Sequence, residues 1–123
     1  MKSIFFDEIE NTQDYAINEF KDEPLLIVSK AQTAGRGTNK NKWENADQSL
    51  AVSLAFNKEI VNFKKTLVPL LAGYSFVSLH QIEDLKLKWP NDITLNEDKV
   101  GGVLVEENND LICIGLGLSL IDI

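Results

Sequence analysis

The chain has little of what usually carries covalent or metal chemistry: one cysteine, one histidine and one arginine in 123 residues. Cys113 rules out a disulfide within the chain. Its place in the apolar run Leu111-Ile112-Cys113-Ile114 marks a buried, inert thiol rather than a nucleophile. His80 has no companion with which to form a zinc site or a catalytic triad. No apolar run approaches membrane-spanning length, and no signal-peptide core follows Met1-Lys2-Ser3. A formal net charge of -7 argues against a nucleic-acid-binding surface as the main business of the fold. Repeats, linker composition and low-complexity tracts are lacking. With 44% hydrophobic residues the chain can still bury a modest core. The expectation is one acidic, soluble, cytoplasmic domain.

The scarcity of arginine is itself informative. Eleven of the twelve basic residues are lysine, and the one guanidinium, Arg36, sits between Gly35 and Gly37. Arginine differs from lysine in its planar fork of donors, which matches carboxylate and phosphate. That placement favours an anion-binding role.

Periodicity gives an α+β chain. Ile4-Phe5-Phe6 reads as a strand, followed by a helix capped by Asn11 or Thr12 and running through Tyr15, Ala16, Ile17 and Phe20. Leu25-Leu26-Ile27-Val28 has the continuous apolar character of a buried strand. Residues 30–47 are polar, aperiodic and glycine-containing, a length usually reserved for functional or disordered loops. Residues 49–56 alternate as a strand does. Residues 63–82 read as the principal helix, with Leu67, Leu70, Leu71, Tyr74, Val77 and Leu79 on its apolar face and Pro69 near its first turn. Four strands follow over 85–88, 92–95, 100–105 and 111–118, separated by turns at Asn96-Glu97-Asp98 and Asn108-Asn109-Asp110. The predicted architecture is a mixed, mostly antiparallel sheet with helices packed on one side.

The densest chemistry lies in Lys88-Trp89-Pro90-Asn91-Asp92 and the following Lys99-Val100-Gly101-Gly102. Proline ends a strand where Asn91 and Asp92 emerge, and paired glycines bare a strand for close approach. With Glu97-Asp98 as a two-residue turn, Asn96 opposes Lys99, and Asp92, Thr94, Lys99 and Gly101 share one face. A carboxylate and an ammonium beside bare backbone suit a nucleotide, or another anion with a metal counter-ion. An ordinary charged hairpin explains Lys99 alone equally well. Thr12 taken by itself is a helix cap. Gln32-Thr33-Ala34-Gly35-Arg36-Gly37 fits neither the P-loop nor the dinucleotide fingerprint. Gly115-Leu116-Gly117 either admits a ligand or marks a twist.

Together these strings resemble the catalytic domain of the biotin protein ligases, related in fold to lipoate ligases and class II aminoacyl-tRNA synthetases. The matching pieces are Glu10-Asn11-Thr12-Gln13, Gln32-x-x-Gly35-Arg36-Gly37 with Lys42-Trp43, Lys88-Trp89-Pro90-Asn91-Asp92, Lys99-Val100-Gly101-Gly102-Val103-Leu104-Val105-Glu106, and Gly115-Leu116-Gly117-Leu118-Ser119. They cover nearly the whole chain in order.

The resemblance implies that the carboxylate of biotin attacks the α-phosphate of ATP. Biotinyl-adenylate then passes its acyl group to a lysine of a biotin carboxyl carrier domain in a carboxylase. It implies ATP, biotin and Mg2+ as ligands. Asn11, Thr12, Gln32, Gly35, Arg36, Gly101 and Gly102 fall on biotin, and Trp43, Lys88, Asn91 and Ser119 on ATP or the adenylate. Asp92 falls on the metal, while Lys99, Arg36 and Asp92 fall at the reacting centre. No DNA or membrane contact is implied, and a homodimer stays open.

Some positions depart from the family. Thr38 and Asn41 stand where arginines usually hold the adenylate, Ser119 stands for an asparagine, and Asn11 for a serine. Lys40 and Lys42 can replace the charge but not the fork. The resemblance also implies further helix and strand beyond the Gly-x-Gly strand. Residues 1–123 are accordingly expected to be one catalytic domain with its C-terminal part absent. Two alternatives stay open: a module that holds biotin or its adenylate with little transfer, and a lipoate-type acyl ligase. Residues 30–47 are expected to order over bound ligand and bury Trp43.

Overall fold

A computed structural model describes residues 1–37 and 49–119. In chain order the elements are β1 (Lys2–Ile9), α1 (Thr12–Glu19), β2 (Leu25–Gln32), β3 (Ser49–Asn57), α2 (Val68–His80), β4 (Leu85–Lys88), β5 (Asp92–Leu95), β6 (Asp98–Glu107) and β7 (Leu111–Ser119). One seven-stranded sheet runs β1-β2-β3-β7-β6-β5-β4; β1 pairs parallel to β2 and every other neighbour is antiparallel. This is the mixed, mostly antiparallel α+β sheet that the sequence predicts. The expected loop over residues 30–47 begins later than predicted, because β2 runs to Gln32; Thr38, Asn41 and Trp43 lie outside the described residues.

Side-chain alternation sorts the core into two clusters. Ala16 of α1 packs with Leu25, Ile27, Ala55, Leu111 and Cys113. Ala72, Phe76 and Val77 of α2 pack with Leu85, Ile93, Leu95, Val100, Val103 and Leu118. Along β3 and β7, Ala51, Ser53, Ala55, Cys113, Gly115 and Gly117 share the alternation that meets α1, with Ala51 opposite Gly117, Ser53 opposite Gly115 and Ala55 opposite Cys113.

Two expectations change. The principal helix is shorter than residues 63–82: a 3₁₀ turn, Lys65–Leu67, leads into it, Pro69 occupies the first turn, and Gln81 closes it in the left-handed region at φ 48°. Much of its expected apolar face is also turned to water, with Leu71 48%, Tyr74 64% and Leu79 79% exposed. The reason is Gly73, whose missing side chain lets Leu87 approach so closely that an added Cβ would lie 2.6 Å from it. That contact selects the Ala72–Phe76–Val77 stripe as the inner one.

The β5–β6 hairpin also differs in register. Its turn is Asn96-Glu97, both at positive φ (50° and 74°), so that Leu95 opposes Asp98 and Thr94 opposes Lys99. A turn of this kind needs left-handed backbone at both central positions, which asparagine tolerates. A bulge then follows. Thr94 pairs with Lys99 but Ile93 with Gly101, leaving Val100 as the extra residue. The bulge moves Gly102, rather than Gly101, onto the face shared by Asp92 and Lys99.

Candidate functional site

The cleft starts where β1 hands over to α1. Asn11 caps the helix: its Oδ1 accepts from the Asp14 backbone N–H at 3.0 Å, and its Nδ2 donates to the Ala34 carbonyl at 2.9 Å. The Thr12 N–H and hydroxyl both donate to Gln32 Oε1, at 2.8 and 3.1 Å, and Ser53 Oγ donates to Thr12 Oγ1 at 2.8 Å. Asn11, Thr12, Gln13 and Ser53 are each at most 5% exposed. Burial of so many polar groups is affordable only because they satisfy one another, and no buried side-chain N or O among the described residues lacks a partner.

The floor is bare backbone. Gly102, Gly117 and Ala51 form one cross-strand row. Beside it, Gly115 is filled from within: an added Cβ would lie 2.7 Å from Gln13 Oε1. Gly115 therefore receives the Gln13 amide, and both Gly115 and Gly117 line the cleft.

The opposite end is charged. Lys99 Nζ lies 3.1 Å from Asp92 Oδ1, with side-chain exposures of 53% and 30%. The Asn91 side-chain amide donates to the Val103 carbonyl at 3.3 Å, and the Val103 N–H donates back to Asn91 O at 2.9 Å. That pair fixes the chain after Pro90, so Asn91 and Asp92 enter the cleft from a defined position. Arg36 lies on the side wall, its Nη2 2.8 Å from both Asp14 Oδ1 and Glu106 Oε1. Its hydrogen bond to Asp14 raises its pKa further, against the cost of burial, so the guanidinium is always charged.

The structure thus gathers Asn11, Thr12, Gln32, Arg36, Asn91, Asp92, Lys99 and Gly102 around one cleft of about 510 Å³ of atom-free space, its open mouth included. Other expected residues lie elsewhere. Gly101 faces Ile93 and Leu118, because the bulge turns it away from Lys99. Gly35 is buried and, unlike Arg36 and Gly37, does not line the cleft, Lys88 lies exposed on β4 opposite Asp92, and Ser119 ends β7 beyond Gly117. Trp43 lies outside the described residues. Gln13, Ser53, Asp14 and Glu106 did not stand out in the sequence as site residues. Only the Glu10-to-Gln13 and Lys99-to-Glu106 strings carried a signal, and for two of them, Gln13 and Glu106.

No group of three or more histidine, cysteine, aspartate or glutamate side chains among the described residues could hold a metal by itself. Asp92 offers one carboxylate. That suits Mg2+, which commonly keeps its waters and takes only one or two carboxylates together with substrate phosphates.

Comparison with known proteins agrees with this geometry. Residues 5–119 match the model of the biotin/lipoate A/B protein ligase family. The chain is 31% identical to biotin–protein ligase 2 of Arabidopsis thaliana and 30% identical to a bifunctional ligase/repressor of Bacillus subtilis. The matches cover 91% and 95% of this chain but only 38% and 40% of those proteins. Among solved structures, a Helicobacter pylori biotin acetyl coenzyme A carboxylase synthetase with bound biotinylated ATP superposes with a TM-score of 0.87. It is 32% identical, over 98% of this chain and 62% of that one. An Aquifex aeolicus biotin protein ligase in complex with biotin and ATP gives a TM-score of 0.82 at 30% identity, over 96% of this chain and 52% of that one. The chain belongs to the biotin/lipoate A/B protein ligase family and matches its biotin protein ligase catalytic domains.

Proposed function

We propose that this chain carries the adenylate-forming centre of a biotin protein ligase. The observation that carries the reading is the polarity of the cleft. A neutral, buried, mutually bonded end at Thr12, Gln32 and Ser53 leads over a glycine floor to a charged end at Lys99 and Asp92. An uncharged bicyclic ring suits the first end, and a carboxylate and phosphates suit the second. Two relatives of this fold were solved with biotinylated ATP and with biotin and ATP, which supports the reading.

In the reaction, a biotin carboxylate oxygen forms a bond to the α-phosphorus of ATP. The bond from that phosphorus to the oxygen bridging to the β-phosphate breaks, and pyrophosphate leaves. Two anions must approach each other, so the site must supply positive charge. Lys99, at the charged end, is the cation proposed to meet both anions, and Asn91 and Asp92 beside it are proposed to meet the nucleotide. Mg2+, when bound at Asp92, would neutralise phosphate charge. In the second step the amine of an acceptor lysine on a biotin carboxyl carrier domain attacks the acyl carbon. AMP leaves, and one proton is released as the amide forms. The proposed setting is the cytoplasm.

The test is ATP–pyrophosphate exchange in the presence of biotin or of lipoate. Exchange with biotin and none with lipoate is expected. Exchange with lipoate alone would assign a lipoate ligase. Tight biotin binding without exchange would reduce the chain to a binding module and overturn the proposal.

A further inference from the structure

Arg36 is the chain's only arginine, and its charge already has partners. One nitrogen, Nη2, is shared by a carboxylate from α1 (Asp14) and another from β6 (Glu106), each at 2.8 Å. Two carboxylates against one guanidinium leave the group with an excess of negative charge, a poor receptor for a further anion. Glu106 also reaches inward: its Oε1 accepts from Gln13 Nε2 at 3.2 Å. Gln13 follows Thr12 in α1 and rests on Gly115, where its Nε2 donates to the Cys113 carbonyl at 3.3 Å. Glu106 is thus a hub between the segment after β2 and the first turn of α1.

We infer that Arg36, Asp14 and Glu106 form a positioning clasp. They hold the wall at Arg36-Gly37 against α1 and β6, and fix the Gln13–Thr12 end of the cleft, while Lys99 meets the substrate's negative charge. Glu106 is then a positioning residue of the site, acting through Arg36 and Gln13 on ligand capture. The inference rests on the proposed ligase function for its kinetic arm only.

The clasp and an anion-receptor role for Arg36 give opposite signs for one variant. Glu106→Gln removes a carboxylate and keeps the shape. If Arg36 binds the substrate anion directly, freeing it should tighten biotin binding. If the clasp holds the site together, binding should weaken. We expect Glu106→Gln and Arg36→Gln each to raise the KM for biotin in pyrophosphate exchange by about tenfold with kcat nearly unchanged, the signature of lost binding rather than lost chemistry. The double variant should be no worse than either single one, because both break the same contact. The more exposed Asp14→Asn should show a smaller rise in the same direction.

A second readout needs no ligand. The Thr33 and Ala34 amides donate to the Ile9 and Glu10 carbonyls at 3.0 and 2.8 Å, and they report on the segment that carries Arg36. Their hydrogen exchange should quicken about tenfold in Glu106→Gln and in Arg36→Gln, without further gain in the double variant. If the wild type lacks exchange activity but the amides respond, the ligase reading fails and the clasp stands. Unchanged amide exchange, tighter biotin binding in Glu106→Gln, or additive losses in the double variant would each overturn the clasp.

Discussion

At one end of the cleft, Asn11, Thr12, Gln13 and Ser53 lie almost entirely out of water and spend their donors and acceptors on each other. At the other, the ion pair of Lys99 and Asp92 stands half in solvent. The two ends solve different problems. A buried, saturated network can hardly reorganise, so it selects a ligand by shape and by hydrogen-bond pattern. An exposed ion pair contributes little to folding but can leave its partner for a ligand's charge, and its field strengthens once the ligand excludes water. The first end should therefore govern affinity and the second should govern rate.

The largest expected effect lies at the charged end. Lys99→Ala should lower pyrophosphate exchange by roughly a hundredfold, as expected when a charge-stabilising group is lost from a reacting centre. Its melting temperature should hardly move, since a half-exposed ion pair is worth little to stability. Exchange near the wild-type rate in this variant would break the comparison at its main point.

Glycine substitutions probe what backs each end. An alanine Cβ at position 101 would sit 2.8 Å from the Gly117 carbonyl oxygen, which is backbone of β7; at position 115 it would meet only the Gln13 side chain, at 2.7 Å. Gly101→Ala must displace a strand, so we expect about 2–3 kcal/mol of lost stability in urea unfolding. Gly115→Ala should lose less stability, because expelling Gln13 relieves the clash, but it should weaken biotin binding. Equal midpoints for the two variants would show that β7 yields as easily as a side chain.

Thr12→Val tests the neutral end alone. It removes the hydroxyl that accepts from Ser53 and donates to Gln32. The KM for biotin should rise about tenfold with kcat held, and combination with Lys99→Ala should be additive if the two ends act independently. A loss confined to kcat would erase the division between affinity and rate.

The strands, and Asp92 and Lys99 at the ends of a hairpin, were legible in the sequence because alternation and turn residues are local signals, whereas Asn11, Thr12 and Gln32 were pointed to only by the family resemblance. The capping role of Asn11, one of two candidates, became definite only with its bonds to Asp14 and Ala34. Period-two counting failed at Gly101, since a bulge is one extra residue whose existence depends on the partner strand. The inner stripe of α2 was only partly legible, with Val77 inside but Leu71, Tyr74 and Leu79 turned out, for a similar reason: Gly73 meets Leu87, a residue of another element. Arg36 was singled out correctly as unusual, yet its carboxylate partners come from α1 and β6, which no spacing rule connects.

Cys113 supplies an effect confined to alkaline pH and a test of how neutral the buried end is. It is fully buried, and its thiol donates to Gln13 Oε1 at 3.1 Å. Burial, with Glu106 adding to it, pushes the thiol up to about 12. An unfolded cysteine titrates near about 8.5. Above that pH the unfolded chain loses its proton first, so unfolding is favoured as pH rises through the window from about 8.5 to 12. Below that window the thiol is protonated in both states and contributes no pH dependence. The expected cost is at most about 1.4 kcal/mol per pH unit within it. In Cys113→Ala this contribution disappears, so the difference in urea stability between variant and wild type should shift steadily in favour of the variant from pH 8 to pH 10.5. A difference that stays constant over that range would mean that the thiol ionises in the folded protein as readily as in the unfolded chain, and that the buried end admits charge after all.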